Sequence, residues 1–179
     1  MLEDLPDDWQ HSDMAEAIKW CRKFDLAIDC GAHRGIVTNY LMQHFDKVVS
    51  IEPSEFADEI NNQYVIKAAL GQANYRAGLQ HGKHNTGQRH LVVGDDVDVI
   101  TLDSLHLAPD FIKIDIEGME YHALLGGEQT IRTHKPIIII EENGLNQRYG
   151  VEDGETLDLL KSWGMVEVGK RDKDHIFTW

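Results

Sequence analysis

The chain has 179 residues, 42% hydrophobic and 27% charged, a length and balance that suit a single globular domain over residues 1–179 with a sizeable core. Its 31 Asp and Glu against 17 Lys and Arg give a formal charge of -14, which argues against nucleic acid and anionic membrane surfaces as partners, since both reward clustered cations. Two cysteines make no disulfide framework, so reduced thiols and a cytoplasmic location are expected; no run approaches the length of a membrane span, and the acidic start "MLEDLPDDWQ" lacks the pattern of a signal peptide.

Residues 1–10 read as a tail. "SDMAEAIKWCRKF" (12–24) predicts a helix capped by Ser12 or Asp13, with Met14, Ala17, Ile18 and Cys21 on one face. "LAID" (26–29) predicts a buried strand. "GIVTNYLMQHF" (35–45) predicts a helix with Ile36, Tyr40 and Phe45 near one side. "KVVSIE" (47–52) is a second strand stopped by Pro53, and Ser54 caps a short helix after it. "YVIKAAL" (64–70) is a third strand. Residues 72–94 are polar, glycine-bearing and rich in histidine, a break in the rhythm with short strands near 73–79 and 88–93. It reads as a mobile insertion on the acceptor side. "VDVITLDSL" (97–105) is partly extended, and "DFIKIDIEG" (110–118) is a buried strand ending in acids. "MEYHALLGGEQTIRTH" (119–134) predicts a helix loosened at Gly126 and Gly127. "IIIIEEN" (137–143) is the most apolar strand, "DGETLDLLKSWG" (153–164) a helix, and "MVEVGK" and "DHIFTW" a closing antiparallel pair. Strands alternating with helices predict an α/β, Rossmann-like fold with a mostly parallel sheet.

Ligands of such sheets sit at the carboxyl ends of the strands. At "AIDCGAHRG" (27–35) a strand turns into a helix over Gly31 and Gly35, and Glu52 ends the next strand, where an acid can accept hydrogen bonds from ribose hydroxyls. A dinucleotide fingerprint needs a second glycine where His33 stands, so the loop favours S-adenosylmethionine over a nicotinamide cofactor. Asp29 and Asp115 would give an acidic rim to the ligand's ammonium and sulfonium.

These segments, with "VVSIEPSEF", "KAALG", "TLDSL", "FIKIDIEGMEYHALLGG" and "KPIIIIEEN" in that order, resemble the FkbM family of methyltransferases from about Leu26 to Asn143. The resemblance implies S-adenosylmethionine as cofactor and the seven-stranded class I methyltransferase fold with its C-terminal antiparallel hairpin. It also implies O-methylation of a hydroxyl on a small molecule or glycan. It places Asp29, Gly31 and Gly35 along the methionine part, Glu52 on the ribose, Ala68 and Ala69 near the adenine, and Asn85 and Gly87 toward the substrate. His33 lies on the same cofactor loop and titrates near neutral pH.

A hydroxyl acceptor needs a base. Glu117 and Glu141, at the ends of neighbouring strands, are the candidates, since crowded carboxylates raise one another's pKa. The alternative for Glu117 is to cap the helix that follows. Asp115, Glu141 and Asn143 could instead hold Mg²⁺, a reading ranked below direct base catalysis. His81, His84 and His90 read as a solvated loop rather than a zinc site, so no metal is assigned. Two other functions compete: a nicotinamide-dependent oxidoreductase, and a module that binds S-adenosylmethionine without turnover. A homodimer is one way to complete the acceptor pocket.

Overall fold

A computed structural model describes residues 8–81 and 89–179. The chain forms α1 (Asp8–Ile18), β1 (Leu26–Cys30), α2 (Ile36–Leu41), β2 (Lys47–Ile51), β3 (Val65–Ile66) and β4 (Ala69–Leu70). It continues through β5 (Tyr75–His81), β6 (Arg89–Ile100), β7 (Phe111–Ile114), α3 (Glu120–Leu125) and α4 (Glu128–His134). It ends with β8 (Ile137–Glu141), α5 (Glu155–Ser162), β9 (Val166–Arg171) and β10 (Asp174–Thr178).

Seven strands make one sheet in the order β3-β2-β1-β7-β8-β10-β9. Its first five strands are parallel, and β10 and β9 close it antiparallel. The α/β, Rossmann-like architecture expected from the sequence is therefore present. Alternate residues of each strand explain it. Ala27, Val48, Phe111, Ile137 and Ile139 point to one face, against Met14, Ala17, Val37, Leu41 and Phe45 of the α1–α2 side. Ile28, Val49, Ile112, Ile138 and Ile140 point to the other, against Leu124, Ile131, Leu157 and Leu160 of α3, α4 and α5. With both faces covered, the strands read as unbroken apolar runs. Each fully buried Ile contributes roughly 1.5–3 kcal/mol. No described helix is long and apolar enough to cross a membrane.

Several local expectations are corrected. The first helix already includes Asp8 and stops at Ile18, so Ser12 and Asp13 lie inside it; Asp13 is buried and pairs with Arg171 at 2.6 Å. In α2, Ile36 is exposed and the buried face is Val37, Thr38 and Leu41, because the helix begins only after the left-handed Gly35. The third strand is two: β3 stays in the main sheet, and after a turn at Lys67 and Ala68 the chain enters a second sheet as β4. Residues 72–94 are less irregular than expected. Tyr75–His81 and Arg89–Ile100 form a long hairpin, and with β4 they make a three-stranded sheet ordered β4-β6-β5. The strand expected near 88–93 falls in β6 from Arg89 onward, and so does the extended part of 97–105 as far as Ile100; Asp103–Leu105 form a short 3-10 turn. The strand at 110–118 ends at Ile114, and the helix at 119–134 is split into α3 and α4 at Gly126–Gly127.

Candidate active site

Gly31 follows β1 with φ +82° and donates its N–H to Ile51 O, at the end of β2. A Cβ there would lie 1.8 Å from the main-chain oxygen of Asp115, so only glycine lets the two strand ends approach this closely. Gly35, also at φ +82°, precedes α2. Between them the His33 N–H donates to Glu52 Oε2 (2.9 Å), and Glu52 Oε1 accepts from the Ser54 N–H (3.0 Å) and hydroxyl. Glu52 is thus fixed at the end of β2, 6% exposed. A carboxylate offers about four acceptor positions, and three are used here, so it keeps room for about one more donor. The His33 ring stands edge-on to Phe56, its Nε2 buried without a partner. Burial lowers its pKa against the opposing pull of Glu52.

Asp29 has no exposed surface; its Oδ2 accepts from Thr38 Oγ1 (2.7 Å). Its other oxygen lies 3.5 Å from Lys113 Nζ, which is also 3.5 Å from Asp115 Oδ2 and donates to Gly31 O at 3.0 Å. Lys113 is buried in β7. Burial pulls its pKa down, but Asp115, Asp29 and Asp174 outweigh that and hold it above the ordinary range. Asp29 therefore buttresses the loop from inside, and Asp115 is the partner that reaches solvent. Ala68 and Ala69 are buried at the switch between the two sheets. Asn85 and Gly87 lie outside the described residues, as does His84.

The strand ends gather acids. Glu117 has φ +60°, an unfavourable backbone state held by the sharp turn after β7. Burial, then Asp115, push its carboxyl up to about 7. Glu141 ends β8; burial, then the charge and hydrogen bond of Asp115, push it up to about 8. Asn143 donates to Glu141 Oε2 and accepts from the Leu145 N–H, so its amide orients Glu141. Asp174, opposite Glu141 in the β10–β8 pair, is pushed up to about 6 by burial, then Asp115. It is Glu120, the first residue of α3, rather than Glu117 that ties down the turn before the helix: Glu120 Oε1 accepts from the Ile116 (2.8 Å) and Gly118 (3.3 Å) N–H groups. The Asn146 amide, oriented to satisfy both its ends, donates to Glu120 Oε2 at 2.7 Å. Sequence reasoning missed Lys113, Asp174 and Glu120. Only Lys113 left a signal, as the one charge inside "FIKI".

The hairpin lies across these strand ends. Arg89 pairs with Glu55 in the turn after β2, and the Leu91 N–H and C=O bond Tyr149 Oη in the turn after β8 (2.9 and 3.2 Å). In sheet order β1 and β7 lie between those anchors. Among the described residues, no group of three or more His, Cys, Asp or Glu is arranged to hold a metal ion.

Residues 29–166 match the family model described as the methyltransferase FkbM domain. A methyltransferase FkbM from Methylobacillus flagellatus KT is similar in structure at 23% identity and TM-score 0.55, over 87% of this chain and 43% of that one. The chain thus spans less than half of that protein's length. The precorrin 8w decarboxylase of Methanobacterium thermoautotrophicum aligns at 14% identity and TM-score 0.55, over 95% of this chain and 89% of that one. N-methyltransferase NodS from Bradyrhizobium japonicum, in complex with S-adenosyl-l-homocysteine, aligns at 13% identity and TM-score 0.53, covering 99% and 88%. At these identities the structural likenesses establish the fold. No curated protein matches the chain.

Proposed function

The chain belongs to the FkbM methyltransferase family, and from that premise we propose that it binds S-adenosylmethionine at the Gly31–Gly35 loop and methylates a hydroxyl of a small molecule or glycan. The observation that carries this reading is Glu52, held at the end of β2 by the His33 N–H and by Ser54, with about one acceptor position of its carboxylate left for a ribose hydroxyl. The acids fit a cationic ligand: Asp115, Glu117, Glu141 and Asp174 influence one another at the strand ends, where the buried Lys113 ammonium is paired with Asp29 and Asp115. When bound, S-adenosylmethionine supplies a methyl group on an activated sulfonium.

The chain's own contribution is alignment and proton removal. Alignment alone supplies roughly 7–11 kcal/mol. Glu141 or Glu117 takes the acceptor's hydroxyl proton as the oxygen gains the methyl carbon; the sulfur keeps the electron pair of the broken bond. The products are a methyl ether and S-adenosylhomocysteine. A carboxyl raised toward neutrality is a stronger base than an ordinary one, and a cation bound beside it lowers its pKa so that it is ionised when needed.

Calorimetry with S-adenosylmethionine and with NAD tests the cofactor. We expect micromolar binding of the first and no heat from the second; the reverse result ends the proposal. Glu52→Gln should weaken S-adenosylmethionine by about 1.5–3 kcal/mol, the worth of hydrogen bonds to a charged group. With an acceptor found by labelled methyl transfer to hydroxylated sugars and natural products, Glu117→Gln or Glu141→Gln should lower turnover by about 10²–10⁴ with affinity for the donor nearly intact. Turnover unchanged in both variants would remove the carboxylate base from the mechanism.

A further inference from the structure

Arg89, the first residue of β6, is a closely held cation near the strand ends. Its side chain is 8% exposed, while that of its partner Glu55 is 62% exposed. Both guanidinium ends reach Glu55, at 2.6 and 2.8 Å. Its plane lies over Phe56, 4.1 Å from the ring centroid, and Arg34 lies over the same ring at 4.3 Å. The edge of His33 meets that ring too. Glu55 and Phe56 directly follow the Ser54 that holds Glu52. One side chain of the hairpin is therefore seated on the segment that carries the ribose-binding acid.

The hairpin needs such an anchor. Its buried apolar cluster is small, Ala69, Ala77 and Val99 with Leu91 and Val97 against them, and Val93 is fully exposed. β4 adds only two paired residues at its base, and a ribbon with so little apolar cover is marginal alone. An exposed ion pair would add little, but Arg89 is desolvated and stacked, and its fork engages both oxygens of one carboxylate. Lysine cannot reproduce that geometry.

We propose that Arg89 is a positioning residue that ties the β5–β6 hairpin to the 52–59 segment, so that the roof over the strand ends and the ribose-binding turn are ordered together. The ribose assignment rests on the function proposed above; the tie itself does not. It links donor binding to the ordering of the described hairpin strands.

Hydrogen exchange on the full chain tests it with Arg89→Gln, Arg89→Lys and Glu55→Gln. Arg89→Gln should speed exchange about tenfold in both segments, residues 75–80 with 90–94 and residues 54–59, while β1 and β7 keep their protection. The same variant should bind S-adenosylmethionine about tenfold more weakly. Arg89→Lys should recover only a minor part of either effect, and Glu55→Gln, which keeps the stack on Phe56, should fall between. Faster exchange in the hairpin alone, or in neither segment, overturns the proposal, as does donor affinity within twofold of wild type once both segments have loosened. A wild-type chain that binds no S-adenosylmethionine overturns the donor assignment instead, and the paired exchange response then decides the tie.

Discussion

Gly31 and Lys113 act on the same few atoms. The Gly31 carbonyl accepts from the Lys113 ammonium at 3.0 Å, and its Cα faces the Asp115 carbonyl so closely that no Cβ fits. Gly31→Ala would combine a positive φ with a main-chain clash, and a loss of about 3 kcal/mol or more in urea unfolding is expected. An unchanged midpoint would mean that the loop can move aside. The loop glycines and Glu52 were legible because each belongs to a local pattern, a strand end followed by a turn. The acids were legible as a group but not in their division of labour. Glu117 and Glu120 both precede or open the same helix, and which one holds the turn before it depends on the left-handed backbone at Glu117. Asp174 was invisible, because its place opposite Glu141 is set by the register of the antiparallel closing strands.

Among the elements, the gap between α3 and α4 shows how a motif can be structural. Asp103, in "TLDSL", accepts from the N–H groups of Gln129 (3.2 Å) and Thr130 (2.7 Å), so it caps α4 from a distant segment. Asp103→Ala should cost about 1–2 kcal/mol, as lost caps do. Thermal unfolding would show it, and donor binding should be unchanged; a stable variant would mean that water replaces the cap. The glycine pair at 126–127 announced the break in the sequence. The division of the third strand was not announced, because "YVIKAAL" is equally apolar on either side of Lys67 and the partner of Ala69–Leu70 is β6, thirty residues downstream. Long-range register of this kind leaves no period to read.

Across the molecule, the raised carboxyls couple folding to pH. Glu117 and Glu120, pushed up to about 7, and Glu141, up to about 8, hold protons in the folded chain that the unfolded chain releases near 4.5. The folded state then binds more protons, so the stability tied to these groups is complete below the unfolded value and is lost as pH rises through about 7 to 8. The unfolding midpoint should fall between about pH 5 and pH 8.5, and Glu141→Gln should flatten the slope. A midpoint that rises over this range would show that the acids are ionised in the folded chain. A bound cation should shrink the same slope by favouring the charged carboxylates.

The hairpin departs from the chain after Leu70 and returns at Ile100, and these two residues are paired neighbours in the small sheet. Its exit at Gly71 is pressed against Gly126, where a Cβ would meet the Gly71 carbonyl at 2.0 Å. Everything between leaves and re-enters one strand spacing apart, from a point the rest of the fold clamps shut. Such a segment is a cassette. Its length and lettering can drift, or be exchanged wholesale with that of a relative, while the parallel sheet keeps its register and the Gly31–Gly35 loop its shape. In a lineage of enzymes that share one donor and differ in what they modify, variation would collect here first, and the same two paired residues mark where a grafted hairpin should be cut and joined.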